Sequence, residues 1–222
     1  MELFNTLAFM VFPYIALTLF VVGHAYRYVT DLYKWNAKSS QMLESETLAY
    51  GTTIFHWGII LTFIGHAGGL LIPQSLYDAV GIDGQAHSAI AYYSGLAVGT
   101  LTVMGLAILI VRRVLYRRVR ARTAPNDFFL LLFLLLVTGI GTYNVFFGHY
   151  YLLDSVAPWI RSIVIFRPEP ELMMPVPFSY KLHILTAFAL LAYSPFTRLV
   201  HIWSVPVYYL YRSLIVFRGK PA

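Results

Sequence analysis

Cysteine is absent from the 222-residue chain. This absence excludes disulfide bonds, thiolate metal sites and iron–sulfur clusters held by the chain itself. Charged residues are also scarce: Asp, Glu, Lys and Arg make up 12% of the sequence, against about 25% in an ordinary soluble domain. Hydrophobic residues supply 59%, and they form long runs along the whole length. The composition therefore predicts a protein that crosses a membrane several times.

Five apolar stretches of about 20 residues are long enough to cross a hydrocarbon core of about 30 Å. They lie near 4–27, 48–71, 88–112, 127–150 and 179–203. The first stretch is not followed by a small-residue cleavage site, so we expect no removed signal peptide. We predict an all-α fold, with one membrane domain over 1–222, five transmembrane helices, an outer loop at 151–178 and a cytoplasmic tail at 204–222.

Basic residues are divided unevenly between the two sets of loops. One side has only Arg161, Arg167 and Lys181. The other side has thirteen: Arg27, Lys34, Lys38, Arg112, Arg113, Arg117, Arg118, Arg120, Arg122, Arg198, Arg212, Arg218 and Lys220. Loops rich in Lys and Arg stay in the cytoplasm, which predicts an outer N-terminus and a cytoplasmic C-terminus. Topology explains the net charge of +6 better than nucleic-acid binding does, and anionic membrane lipid remains a candidate partner.

Four of the seven histidines lie inside predicted spans two and five. Ionisable side chains in a membrane interior are rare and by default mark function. His56 and His66 are ten residues apart, or about 15 Å along a helix. His183 and His201 are eighteen residues apart, or about 27 Å. Their predicted depths pair His66 with His183 near the outer side and His56 with His201 near the inner side.

Two histidine pairs on two antiparallel helices suit two haems, each held by two axial imidazoles. Zinc would need four ligands that converge at one point. Nearby glycines would leave room for a flat macrocycle, although glycine also simply lets helices lie close together; they are Gly58, Gly65, Gly68 and Gly69. A kink at Pro195 is expected to reconcile the unequal separations. Hydrogen-bonded packing residues, or a proton relay, are the alternative interpretation of the histidines.

The other three histidines lie near the ends of spans. We expect His24 and His149 to be interfacial. His87 lies where the first outer loop meets span three, and it is either a solvated side chain or a proton acceptor near an outer site. The sequence APWIRSIVIF at 157–166 predicts a short amphipathic segment at the interface or, alternatively, part of a lid over a site reached from the lipid.

Several motifs resemble those of the gamma subunit of respiratory membrane-bound nitrate reductase, a dihaem cytochrome b that anchors that complex. They are FPYIA in span one, SSQML in the first inner loop, FHWGI and the following GH in span two, RVRA in the second inner loop, and PFTRLVHIWSVPV near the end. The spacings between the histidines also match. The resemblance covers essentially the whole chain.

The resemblance implies that His66 and His183 ligate a distal haem b, and that His56 and His201 ligate a proximal haem b. It implies a subunit of the bacterial or archaeal cytoplasmic (inner) membrane that oxidises a quinol, menaquinol or ubiquinol, near the outer face. Electrons would pass through both haems to an iron–sulfur beta subunit, and then to a molybdenum-cofactor alpha subunit that reduces nitrate during nitrate respiration or assimilation.

A quinol pocket is expected at Gly65, His66 and Gly69, with His87 alongside. Well-known members of the family carry a lysine in the outer loop, which is implicated in quinol binding. The loop IPQSLYDAVGIDGQAHSA contains no lysine. Either His87 replaces that lysine as the hydrogen-bond partner of the quinol, or the quinol is held in another way.

Arginines near the inner haem are expected to bind its propionates through charge-assisted bonds. The candidates are Arg27, Arg112, Arg113 and Arg198, of which one or two should pair in this way. The segment VPVYYLYRSLIVFRGK, together with SSQML, is expected to dock the iron–sulfur subunit. Two alternatives stay open: the same role for a nitrite-oxidising or heterodisulfide-reductase-type complex, and a haem-free transporter or anchor with the histidines as a proton relay.

Overall fold

The computed structural model of the chain describes residues 2–31 and 40–203. Within these ranges it contains nine α-helices and no β-strand. The helices are α1 Glu2–Thr6, α2 Phe12–Thr30, α3 Glu46–His66, α4 Gln74–Ala79, α5 Gly84–Leu115, α6 Arg117–Ala121, α7 Pro125–Tyr143, α8 Val156–Val164 and α9 Phe178–Tyr193. The π-helical turns are Leu7–Val11, Ala67–Leu71 and Asn144–Gly148, and the 3-10 turns are Pro170–Met173, Ser194–Phe196 and Arg198–Val200. The predicted tail at 204–222 lies outside the described residues.

Four helical stretches of the described chain are long and apolar enough to cross a membrane: Leu3–Thr30, Glu46–Leu71, Gly84–Leu115 and Pro125–Gly148. Their ends differ from predicted spans one to four by no more than four residues. Large apolar side chains point outward from them, such as Val29, 80% exposed, and Phe147, 69% exposed. Such a continuous apolar exterior fits a surface covered by lipid.

The fifth predicted span is not one continuous helix. α9 stops at Tyr193 after 16 residues, and two 3-10 turns follow, separated by Thr197 in an extended conformation (φ −124°, ψ −176°). Proline lacks a backbone N–H and disfavours helix at the preceding residue, so Pro195 explains the interruption. The predicted bend at Pro195 is present, but the prediction of one continuous helix through to His201 is wrong.

Neighbouring helices support this interruption from two sides. On α2, a Cβ added to Gly23 would lie 2.9 Å from the Pro195 ring, so only glycine permits this approach. One turn later, Nη1 of Arg27 donates a hydrogen bond of 2.9 Å to the Pro195 carbonyl. On α7, Asp127 accepts two hydrogen bonds of 2.5 Å from Arg198. The chain after α9 is thus fixed by polar contacts with α2 and α7.

Helices α3 and α5 lie against each other through small residues. A Cβ on Gly58 would come within 2.5 Å of the Thr102 hydroxyl, and one on Gly105 within 2.4 Å of the Phe55 backbone nitrogen. Such small-residue contacts are common between membrane helices, because they let backbones approach closely. Gly58 therefore serves helix packing, and the prediction that it leaves room for a macrocycle is wrong.

Two apolar clusters fill opposite ends of the bundle. One joins Phe9, Trp159 and Met173, all fully buried. The other is built around Phe55 and Leu106. The predicted amphipathic segment in the outer loop is α8, and its Trp159 donates a hydrogen bond of 2.9 Å to the Phe9 carbonyl. This helix is therefore a packed part of the bundle.

Candidate functional site

The four histidines of the predicted spans form two pairs. The ring centroids of His56 and His201 lie 5.9 Å apart, with an interplanar angle of 69°. Those of His66 and His183 lie 6.2 Å apart, with an angle of 39°. The structure thus brings together the same partners that the predicted depths suggest. The two pairs are about 15 Å apart along α3, since ten residues separate His56 from His66.

Each pair combines one histidine from α3 with one from the final part of the described chain. α3 repeats the pattern Thr-x-x-x-His at Thr52–His56 and Thr62–His66. His183 lies on α9, whereas His201 follows the 3-10 turn Arg198–Val200. The interruption at Pro195 lets the last segment turn, so that His201 meets His56.

All four imidazoles use the Nδ1 atom for a hydrogen bond to a backbone carbonyl. His56 bonds to Thr52 at 2.7 Å, His66 to Thr62 at 2.8 Å, His183 to Val137 at 3.0 Å and His201 to Arg198 at 2.6 Å. A carbonyl oxygen only accepts, so each Nδ1 carries the proton and each neutral ring keeps its lone pair on Nε2. Metal-bound histidines almost always donate their second nitrogen in this way.

The distances within each pair suit a metal ion between the two rings. Two imidazoles that face each other across one ion, each bound at about 2 Å, have ring centroids about 6 Å apart. In the described part of the chain no group of three or more His, Asp or Glu side chains converges, so neither pair is part of a four-ligand cage of protein side chains. A haem supplies its own equatorial ligands and needs only two axial ones, and the paired rings fit this requirement.

The surroundings of the two pairs leave open space on α3. An open groove of about 400 Å³ lies along α3 and is lined by Thr52, Thr53, His56, Trp57 and Ile60. At the other pair, a Cβ on Gly65 would meet nothing within 4 Å. Gly65 thus faces open space next to His66 in the sequence, and its predicted role beside a haem stays a prediction.

The predicted quinol pocket gathers around the π-helical turn after His66. A Cβ on Gly69 would lie 3.7 Å from Nε2 of His87. The His87 side chain is buried, and its Nδ1 bonds to Oε1 of Gln74 at 2.7 Å. An amide oxygen only accepts, so Nδ1 holds the proton and the Nε2 that faces Gly69 is an acceptor. π-turns of this kind occur frequently at functional sites.

Sequence reasoning missed the residues that orient His87. Tyr77 packs its ring 4.3 Å from the imidazole and donates a hydrogen bond of 3.1 Å to the Gly68 carbonyl. Gln74 is held in turn, because its Nε2 donates to Asp78 at 2.8 Å. Gln74 and Tyr77 both lie on the short helix α4. The sequence signal that could have identified this helix is the polar pair Gln74 and Asp78, which are four residues apart and lie between two glycine-containing stretches.

The Arg112 side chain bonds to the loop before α3. Its side chain is 1% exposed and pairs through Nε with the carboxylate of Glu44. The other two guanidinium nitrogens donate to Ser40 and to the Glu44 carbonyl, at 2.5–3.2 Å. Burial raises the pKa of Glu44, but the bonds from Arg112 and the Thr47 N–H, with the Arg112 charge, outweigh burial and hold it below the ordinary value of 4.5. All three nitrogens of Arg112 thus have protein partners, and a bond from Arg112 to a haem propionate stays a prediction.

The other predicted arginines have different surroundings. Arg198 forms its two-bond pair with Asp127 while its carbonyl accepts the proton of His201, so it positions that ligand. Arg113 donates to Thr123 at 3.1 Å, and Arg27 contacts Pro195. His24, predicted as interfacial, is buried against Phe20 at 4.7 Å between ring centroids. His149 is exposed.

Four membrane-length helices with two opposed histidine pairs are features of helical multi-pass membrane proteins of the cytochrome b type. Residues 5–220 match the family of the nitrate reductase gamma subunit, and the chain therefore belongs to that family of membrane cytochrome b subunits of an oxidoreductase complex.

Three relatives illustrate the similarity. The chain is 41% identical to the nitrate reductase gamma chain of Bacillus subtilis, over 95% of this chain and 96% of that protein. It is 33% identical to the respiratory nitrate reductase 1 gamma chain of Escherichia coli, over 99% and 100%. It is 36% identical to the nitrate reductase-like protein NarX of Mycobacterium tuberculosis, but although 99% of this chain aligns, it spans only 34% of that longer protein.

Proposed function

We propose that the chain is a dihaem cytochrome b that oxidises a membrane quinol beside the His66–His183 pair and passes electrons to a second haem at the His56–His201 pair. From there the electrons enter an iron–sulfur subunit and reach a molybdenum-containing subunit that reduces nitrate. The observation that carries the proposal is the pairing of the rings, 5.9 Å and 6.2 Å apart, with all four Nδ1 atoms already bonded to carbonyls.

When bound, each haem accepts and passes on one electron at a time. The chain supplies the axial nitrogens, fixes each ring by its Nδ1 bond, and separates the two pairs by about 15 Å along α3. The same bonds argue against the alternative of a proton relay. A relay needs side chains that both accept and release protons, whereas the backbone carbonyls bonded to these rings only accept hydrogen bonds.

His87 is proposed to accept a hydrogen bond from a quinol hydroxyl through Nε2. Gln74 fixes the tautomer that this role requires, and Gly69 leaves the nitrogen accessible from the side of His66. A neutral imidazole beside the site of oxidation can also take up a proton as the quinol loses its electrons. His87 thus does the work for which well-known members use a lysine.

The direction of transfer follows from the predicted orientation, with His66 and His183 on the outer side and the C-terminus in the cytoplasm. Protons released outside while electrons move inward store work, about 2.3 kcal/mol per charge for each 100 mV of membrane potential. The inner end is proposed to meet the iron–sulfur subunit through the SSQML loop and the segment after 203. Arg27, Arg112, Arg113 and Arg198 remain our candidates for the propionates of the inner haem, of which one or two should pair in this way.

The proposal is tested first by haem content. The purified protein should contain two b-type haems per chain, measured by the pyridine haemochrome, and both should appear in the reduced-minus-oxidised spectrum. A content well below two, or no b-type absorption, would contradict it. Subunits that co-purify in mild detergent identify the complex. We expect iron–sulfur and molybdenum subunits with nitrate reductase activity. Co-purification with a different oxidoreductase would mean that the two haems supply electrons to another reaction.

The quinol site is tested by His87→Phe, with His149→Phe as the control because His149 is an exposed histidine. Loss of one buried hydrogen bond, worth about 1–3 kcal/mol, should lower the rate of haem reduction by quinol about tenfold or more. Dithionite should still reduce both haems. Equal quinol rates in the two variants would contradict the role of His87.

A further inference from the structure

His183 differs from the other three paired histidines in the acceptor of its Nδ1 hydrogen bond. His56 and His66 bond to carbonyls of their own helix, four residues back, and His201 bonds three residues back. His183 instead reaches the Val137 carbonyl on α7, which is 46 residues away in sequence. Its orientation therefore depends on how α7 and α9 are placed relative to each other.

A glycine makes this contact between helices possible. In an α-helix the carbonyl of residue 137 points toward residue 141, one turn further on. A Cβ added to Gly141 would lie 2.7 Å from Cε1 of His183 and 3.1 Å from its Nδ1. The first distance is well inside van der Waals contact, so any side chain at 141 would displace the ring from the carbonyl.

The gap at Gly141 is not a general property of the glycines on α7. Gly139 lies two residues earlier, about 200° around the helix, and a Cβ there would meet nothing within 4 Å. α7 therefore contains one glycine, Gly141, that the position of the His183 ring requires, and another, Gly139, that it does not require.

We propose that Gly141 and the Val137 carbonyl form the positioning site of His183, and that this site sets the electron donation of the distal ligand pair separately from the proximal pair. The inference rests on the proposed function, since it assumes that His183 binds a haem iron. A hydrogen bond from the second ring nitrogen raises the basicity of a metal-bound imidazole. A more basic ligand favours the oxidised metal, so the bond lowers the midpoint potential of the haem that His183 ligates.

Gly141→Ala and Gly139→Ala test the proposal in the full-length protein. Optical redox titration of Gly141→Ala should show the midpoint potential of one haem shifted upward, or that haem lost, with the other unchanged. Gly139→Ala should match the unaltered protein in both components. Unshifted potentials in Gly141→Ala, or equal changes in both variants, would overturn the proposal.

A double variant keeps the test decisive if Gly141→Ala fails to accumulate in the membrane. The added methyl group is expected to clash with the His183 ring, so removal of the ring should relieve the defect. His183→Ala with Gly141→Ala should then accumulate as well as His183→Ala alone, measured by immunoblot of membranes. Poor accumulation of the double variant would locate the clash elsewhere and overturn the proposal.

These outcomes separate the inference from the proposed function. If the unaltered protein lacked two haems, the proposed function would fail, and the accumulation experiment would still report whether Gly141 and His183 are in contact. If two haems are present and Gly141→Ala changes neither, only the positioning site fails.

Discussion

The two ends of the bundle hold equivalent histidine pairs by different means. At the His66–His183 end, the surrounding chain is fixed mainly by apolar packing. At the His56–His201 end, ion pairs add to the packing of the second apolar cluster. The difference follows from the backbone, because His183 lies on a regular helix whereas His201 follows an interrupted one.

At the His66–His183 end, Trp159 is the centre of the packing. Its ring lies edge-on to Phe9 at 5.8 Å and to Phe188 of α9 at 6.1 Å. A fully buried Trp contributes a large apolar area together with one directional hydrogen bond. Since Phe188 is on the same helix as His183, this cluster supports α9 from the side of α8.

At the His56–His201 end, the 3-10 turns bury Pro195 and Val200 almost completely, and ion pairs add further contacts. Arg198–Asp127 joins the interrupted segment to the start of α7, and Arg112–Glu44 joins α5 to the loop before α3. Both arginines link stretches far apart in sequence. Charge-assisted bonds of this kind add a fixed geometry to the apolar contacts of this end.

The largest expected effects come from removing the ligands themselves. His66→Ala or His183→Ala should remove one haem and abolish oxidation of quinol. His56→Ala or His201→Ala should also remove one haem but leave the other reducible by quinol, while transfer to the partner subunits stops. Haem content and quinol-reduction spectra measure these outcomes. The comparison of the two ends would collapse if all four variants lost both haems, or if none lost any.

The pairing of the four histidines could be predicted from the sequence, because apolar length identifies membrane spans and histidines within them are conspicuous. The sequence predicts where the helix is interrupted, at Pro195, but not how many residues the interruption includes. Its extent depends on contacts with Gly23 and Arg27, which lie on a different helix. The role of Arg112 was not predictable from local sequence, because its partner Glu44 lies 68 residues away. Gly58 and Gly65 cannot be told apart from the sequence, because both are glycines near a histidine of the same helix. Only the fold shows that Gly58 faces Thr102 and that Gly65 faces open space.

The next largest effect is expected from Trp159→Ala, which tests the apolar end. Loss of a fully buried Trp side chain costs about 3–5 kcal/mol, so thermal unfolding in detergent should occur at a clearly lower temperature, with the distal haem lost first. Phe147→Ala is the control, because Phe147 is 69% exposed. Equal destabilisation by both changes, or earlier loss of the proximal haem, would contradict the assignment of Trp159 to the His66–His183 end.

A smaller effect is expected from Arg198→Gln, which tests the ion-paired end. The pair with Asp127 is partly exposed, with side chains 25% and 9% accessible, so its loss should cost about 1–3 kcal/mol. The proximal haem should be lost first on heating, the reverse of the order in Trp159→Ala. Arg118→Gln, at an exposed position, is the control. Raised ionic strength should lower the unfolding temperature of the unaltered protein and bring it closer to that of Arg198→Gln, since salt screens partly exposed charges.

The last effect is expected from Glu44→Gln, which removes the charged partner of Arg112 and should lower stability above about pH 4.5 while flattening its loss in acid. The pKa of Glu44 is below its ordinary value of 4.5, so its charged form stabilises the fold fully above about pH 4.5, and this contribution is lost as the pH falls through the lowered pKa. Thermal unfolding between pH 6 and pH 3 should therefore fall more steeply in the unaltered protein than in Glu44→Gln. Glu46→Gln, two residues along and exposed, should keep the steep profile. If Glu44→Gln kept it too, the Arg112–Glu44 pair would not distinguish the charged end of the bundle from the apolar one.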